Sequence, residues 1–195
     1  MTVKEMISAF EAILFASGEP VEIEKFCEIF EIDKETVVNT MKMLEDRLQN
    51  SNSAIRLVKL DNSYQLCSRE EYADYIRKAL SLRKNTPLSQ AAFEVLSVVA
   101  YNQPVTKSYI EQIRGVDCSG VVSTLVEKGL LEEKGRLELP GRPLLYGTTA
   151  NFLRCFSLES LDDLPKLPEE SEVDVNGQIK MLSENVADLA KELEE

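Results

Sequence analysis

Apolar positions in the first third of the chain recur at helical spacing. Val3, Ile7, Phe10, Ile13 and Leu14 mark a helix from about Lys4 to Ser17, which Gly18 and Pro20 end and turn. Ile23, Phe26, Ile29 and Phe30 form a short amphipathic segment after the turn. Asp33 then stands where an N-cap is wanted before Val37, Met41, Leu44 and Leu48, so a third helix is predicted there. The period next falls to two. Ile55 and Leu57 flank Arg56, Tyr64 and Leu66 flank Gln65, and Asp61-Asn62-Ser63 supplies a polar turn between them, as in a β-hairpin. Tyr72, Tyr75, Ile76 and Leu80 return to helical spacing.

The second half repeats the scheme. Laying Pro20-Val21 on Pro104-Val105 sets an offset of 84 residues. At that offset Leu14-Phe15-Ala16 falls on Val98-Val99-Ala100, Phe26 on Ile110, Ile29 on Ile113, Ile32 on Val116, Asp33 on Asp117, Val37-Val38 on Val121-Val122 and Met41 on Leu125. Self-similarity at one offset indicates duplicated structural units. Helices are predicted over Ser89 to Asn102, Lys107 to Ile113 and Cys118 to Lys128, with Ser89, Thr106 and Asp117 as start signals. Leu130 to Lys134 and Leu144 to Thr148 would be the hairpin strands, and Asn151 to Phe156 a terminal helical turn.

Three helices followed by a hairpin is the winged-helix plan. The expected class is therefore mainly α with small β-hairpin wings: two tandem winged-helix domains and an acidic C-terminal tail. Arg83-Lys84-Asn85-Thr86-Pro87 is short and polar, and Pro87 stops a helix from running through, so residues 1–85 form the first domain and 86–163 the second. Leu158 to Leu167 carries Leu-Pro punctuation and has the look of a linker. Residues 164–195 form the tail, in which Ile179, Leu182, Val186, Leu189 and Leu193 are spaced as a heptad seam too short to be stable alone.

Net charge is −12, and from Leu164 onward nine acids against three bases hold half of it. A net-negative globular part is a poor general binder of phosphate backbone. The predicted third helices agree: in Lys34 to Arg47 three bases are cancelled by three acids, and Cys118 to Leu130 holds one Lys and one Glu. Neither has the side chains that groove reading needs. The cluster Arg77, Lys78, Arg83 and Lys84 lies where cations complement a helix C-terminus.

Catalytic chemistry finds few candidates. The sequence has no histidine, no glycine-rich phosphate loop and no GxSxG, and Cys27, Cys67, Cys118 and Cys155 lack metal-ligand spacing. No catalytic, metal or cofactor residue is nominated. The most apolar run, Val95 to Tyr101, is far too short to cross a bilayer, and Glu5 and Glu11 interrupt the N-terminal pattern a signal peptide would need, so a cytoplasmic location is expected.

What remains is surplus apolar surface. Between Ser89 and Asn102, apolar side chains cover nearly the whole helix, including Phe93, Leu96 and Tyr101, so cover from a second side is expected: the other domain, a second copy or a foreign peptide. The first helix, with Met6 and Ile13 beside Ile7, Phe10 and Leu14, offers a self-association surface. The stretch PGRPLLYGTT, Pro140 to Thr149, packs two prolines and two glycines around Arg142 and Tyr146, which fits a rigid wing loop. An arginine there can grip a carboxylate in two-point fashion.

With these segments placed, the chain resembles the segregation and condensation protein B family. The resemblance is carried by EAILFASGEPV (Glu11 to Val21), YQLCSREEYADYIRK (Tyr64 to Lys78), LSQAAFEVLSVVAYNQPVTKSYIEQIRGVDCSGVVSTLVEKGLL (Leu88 to Leu131), GRPLLYGTTANFL (Gly141 to Leu153) and SLDDLP (Ser160 to Pro165). Where the family motif has YKQPVTR, this chain has Asn102 and Lys107; the tail lies outside the match. The resemblance implies tandem winged helices, a homodimer formed mainly through the N-terminal domain, and binding of the kleisin ScpA by the C-terminal one. It further implies a non-catalytic, nucleoid-associated role in chromosome condensation and segregation, linked to the SMC ATPase through ScpA, with DNA contacted at most indirectly. The expected kleisin contacts are Phe93, Leu96, Tyr101, Arg142 and Tyr146, and the expected dimer contacts Met6, Ile7, Phe10, Ile13 and Leu14. The rival expectation is a winged-helix DNA-binding regulator.

Overall fold

The computed structural model describes residues 1–81 and 87–166. The chain divides into two compact units, the first Met1–Thr86 and the second starting at Pro87. Each combines helices with a small antiparallel sheet.

Unit 1 opens with α1 (Val3–Ser17), started by a capping box: the Glu5 amide donates to Thr2 Oγ1 at 3.3 Å and the Thr2 amide to the Glu5 carboxylate at 2.8 Å. Gly18 ends the helix at φ 66°, a conformation that costs a residue without Cβ little. β1 (Val21–Glu22), α2 (Ile23–Phe30) and α3 (Lys34–Asn50) follow, and Asp33 caps α3 by accepting from the Thr36 amide at 2.7 Å. β2 (Ile55–Leu60) and β3 (Ser63–Ser68) form the hairpin, and α4 (Ala73–Ala79) comes after a single 3-10 turn. The sheet order is β1-β3-β2, with Val21 opposite Tyr64 and Leu57 opposite Leu66. Beneath it Phe10 stacks obliquely on Phe26 and Phe30, at ring-centre distances of 4.6 and 4.9 Å, among Leu14, Val37, Met41 and Leu44. Each large side chain buried there contributes about 1.5–3 kcal/mol.

Unit 2 contains α5 (Gln90–Asn102), β4 (Val105–Thr106), α6 (Lys107–Arg114), α7 (Ser119–Glu127), β5 (Leu131–Arg136), β6 (Leu144–Thr148) and α8 (Ala150–Cys155). Its sheet order is β4-β6-β5, with Val105 opposite Tyr146. The 84-residue offset carries β1 onto β4 and α2 onto α6 at both ends. It fails in the third helix, where α7 has nine residues against seventeen in α3. The offset sets Val38 on Val122, yet Val38 is exposed and Val122 buried.

Three sequence expectations change. β1 and β4 are strands of two residues, too short for period-two alternation to show, and they exist because β3 and β6 pair with them. The N-cap position of α7 is Cys118 rather than Asp117, whose carboxylate instead accepts from Ser119 Oγ at 2.7 Å. The supposed linker after Leu158 is packed structure: Leu158 and Leu164 are buried, a short turn spans Leu161–Asp163, and the Tyr101 hydroxyl donates to the Pro165 carbonyl at 2.7 Å. Folded structure therefore continues past residue 163.

Candidate functional site

The candidate surfaces are the α5 and β5–β6 region of unit 2 and the α1 face of unit 1. In both, the first question is how much apolar surface remains once each unit has built its own core.

Within α5, Ala92, Val95, Leu96, Val98, Val99 and Ala100 are buried, with α6, α7 and β6 packed against the helix. The surplus read from the sequence is therefore largely covered by unit 2 itself. Leu96 is 0% exposed and has no surface to offer a partner, a correction to its expected role. Phe93 and Tyr101 are half-buried. The Tyr101 hydroxyl is occupied by Pro165, and burial pushes its pKa up. At the outer side of α5, Arg114 of α6 donates through Nε and Nη2 to Glu94 Oε2 at 3.3 and 2.8 Å, with the arginine side chain only 7% exposed. This charge-assisted pair ties α5 to α6.

The stretch around Arg142 is a stiff loop. The Leu137 amide donates to the Pro143 carbonyl at 2.9 Å and the Arg142 amide to the Leu139 carbonyl at 2.8 Å. Arg136 Nη1 donates to the Arg142 carbonyl at 3.1 Å, and Arg142 Nη2 to Glu138 at 3.0 Å. Arg142 has a left-handed φ of 40°, held by these bonds. Its guanidinium thus already grips a carboxylate, that of Glu138. Leu137 and Leu139 stand exposed on the same loop, which sequence reading passed over because loop residues show no period. Tyr146 is half-buried in β6, between Val105 and Glu133 of the flanking strands.

The end of this stretch is structural. Gln103 Nε2 donates to Thr148 Oγ1 at 2.8 Å and the Thr148 amide donates to Gln103 Oε1 at 2.7 Å, which binds the turn after α5 to β6. Gly147 is needed because a Cβ there would lie 2.7 Å from Gln103 Oε1 and 2.9 Å from the Lys134 stem. Thr149 accepts from the Phe152 amide as N-cap of α8 and donates to the Gly129 carbonyl at 2.6 Å. Unit 1 makes the same joint from the other side, where Gln65 of β3 donates to the Gly18 carbonyl at 2.8 Å.

On α1, Phe10 and Leu14 are 0% and 1% exposed. They belong to the unit 1 core, which corrects their expected place at a dimer surface. Met6, Ile7 and Ile13 pack on the rim of that core and keep part of their surface in solvent. Phe15, unremarked in the sequence as a surface residue, is 75% exposed.

Several cations near the third helices and the hairpin of unit 2 are already engaged. Lys34 pairs with Glu24 and Arg47 with Glu11, while Arg47 also donates to Ser8 Oγ at 3.2 Å. Lys134 pairs with Glu132, and Lys107 donates to Ser119 Oγ at 2.8 Å. Cations held this way are poorly placed to neutralise a phosphate backbone. Burial pushes the Cys118 thiol up, away from nucleophilic chemistry. Among the described residues no group of three or more His, Cys, Asp or Glu is arranged to hold a metal, and no helix is long and apolar enough to cross a membrane.

The family model described as segregation and condensation complex subunit ScpB matches residues 8–167. The chain belongs to this family. Segregation and condensation protein B of Ruminiclostridium cellulolyticum is 45% identical over 167 residues, which cover 86% of this chain and 88% of that one. A crystal structure of ScpB from Mycobacterium tuberculosis is 30% identical, covering 79% of this chain and 96% of that one at a TM-score of 0.40. A dimer of an ScpB N-terminal domain complexed with an ScpA peptide is 23% identical, covering 40% of this chain and 96% of that one at a TM-score of 0.38.

Proposed function

We propose that the protein is a non-catalytic subunit of an SMC–kleisin condensin, which binds the kleisin ScpA, reaches the SMC ATPase through it and supports chromosome condensation and segregation. The observation that carries this is the family match over residues 8–167, which runs through both units. In this reading each unit is a winged helix whose hairpin is the wing, and the nucleoid is reached through partners. The paired cations of α3 and the unit 2 hairpin support a protein partner over DNA. No observation favours the regulator reading.

Two surfaces are proposed. Met6, Ile7 and Ile13 on the rim of α1 join two copies, with Phe10 and Leu14 supporting them from the core. An extended kleisin segment lies across unit 2 against Phe93, Tyr101, Arg142 and Tyr146, with Leu96 beneath. Size-exclusion chromatography with light scattering, on the protein alone and with ScpA, tests both. A dimer that shifts to a larger complex with ScpA is expected; a monomer indifferent to ScpA would sink the proposal.

A further inference from the structure

The first helices of the two units differ in how far they are covered. At the 84-residue offset Ser8, Ala12, Phe15 and Ala16 of α1 fall on Ala92, Leu96, Val99 and Ala100 of α5. All four are exposed in unit 1, Phe15 by 75%, and all four counterparts are buried in unit 2. The units also differ in what the chain does after its hairpin. In unit 2 it returns to the fold: Phe152, Leu153 and Phe156 in and beside α8 are buried, Leu158 and Leu164 follow them, and the Tyr101 hydroxyl of α5 donates to the Pro165 carbonyl at 2.7 Å. In unit 1 the helix after the hairpin is α4, and none of its residues is buried.

α4 is nonetheless amphipathic. Tyr72, Tyr75, Ile76, Ala79 and Leu80 in and beside it share one side at helical spacing, with Asp74, Arg77 and Lys78 on the other. Tyr75 is 72% exposed and Leu80 64%. Unit 1 therefore shows solvent two apolar faces, one on its first helix and one on its last. We propose that α4 of one copy packs over the outer face of α1 in a second copy, and that the second copy returns the same contact. The exchange is two-fold and closed, so it covers both faces of both copies with no third component. Shape favours this occupant: Ser8, Ala12 and Ala16 are small and leave room beside Phe15 for a helix that carries tyrosines. A second copy thus supplies unit 1 with the cover that unit 2 builds from its own chain. The inference rests on the self-association reading and adds α4 to it.

Light scattering on the full-length protein and two full-length variants, Phe15→Arg and Tyr75→Glu, tests the proposal. Both positions are more than two-thirds exposed, so neither change empties a core, and unchanged helical circular dichroism checks that each variant folds. Each variant alone is expected to dimerise at least about tenfold more weakly than the wild type, because both of its exchanged contacts are spoiled. An equimolar mixture is expected to recover the two-chain mass: one contact of the mixed dimer is wild type, and the other sets the new arginine against the new glutamate. A Tyr75→Glu dimer as tight as the wild type would overturn the proposal and leave self-association through α1 standing. Two weakened variants whose mixture stays monomeric would overturn it as well, since the two faces would then not meet across copies. A monomeric wild type would overturn both this inference and the self-association reading beneath it.

Discussion

Gln103 Oε1 lies 2.7 Å from the Thr148 amide while Gln103 Nε2 lies 2.8 Å from Thr148 Oγ1, so one side chain closes the sheet of unit 2 onto the turn that leaves α5. Replacing it leaves a partly buried donor unpaired. Gln103→Ala is expected to lower the stability of unit 2 by about 1–3 kcal/mol, measured by chemical denaturation with a probe in that unit. A loss within error would show that water replaces the glutamine at no cost.

Gly147 tests the same joint from the strand side. Its φ lies outside the left-handed region, so Gly147→Ala meets crowding alone: Gln103 Oε1 at 2.7 Å and the Lys134 stem at 2.9 Å. The lysine can swing away, whereas the glutamine can do so only by releasing Thr148. A cost of about 1–3 kcal/mol is expected. The double variant with Gln103→Ala should cost less than the sum of the two single variants. Strict additivity would mean that the two residues do not compete for one space.

The segment after Leu158 is expected to behave as part of unit 2. Leu158→Ala should cost about 2–4 kcal/mol, as a buried leucine does, and Tyr101→Phe about 1 kcal/mol through loss of the bond to Pro165. Thermal unfolding of both variants checks this. Two unchanged midpoints would return the segment to the status of a linker.

Glu24 carries a pH signature. The Lys34 ammonium first, and then the Asn62 amide, hold its carboxyl down to about 2 from its usual 4.5. A carboxylate depressed in the folded state contributes stability above its unfolded value, and that contribution is lost as pH falls from about 4.5 toward 2. Lys34→Ala should return the Glu24 midpoint most of the way toward 4.5 in a carboxyl-detected NMR titration. A midpoint that stays near 2 would show that Asn62 alone suffices.

Ile13→Glu puts a charge on the rim of α1 without emptying the Phe10 and Leu14 sites. The expected outcome is a shift from dimer to monomer in light scattering, with unchanged helical circular dichroism. A dimer that persists would move the self-association surface elsewhere.

Elements with their own period were legible in the sequence. α2 and α3 follow from spacing and caps, and both hairpins from alternation or Gly-Pro punctuation, because each local signal agrees with the packing it meets. The misses share a cause: an apolar residue states that it will be buried, not by what. The sequence pattern puts Phe10, Leu14 and Leu96 on apolar helix faces, and their own units bury them. Leu158 and Leu164 sit among prolines and polar residues, so nothing local marks them as part of the fold. Gln103 and Gln65 carry no local signal because a polar side chain near a turn shows no period; their roles appear only when the partner strand arrives.

A chain with two similar sheets can fold with a strand of one half docked in the other. The reversed glutamines oppose that error. A β6 in the place of β3 would bring glycine where the Gly18 carbonyl needs a donor, and a β3 in the place of β6 would set Gln65 against Gln103. Each half of the chain therefore carries a lock that the other half's strand does not fit.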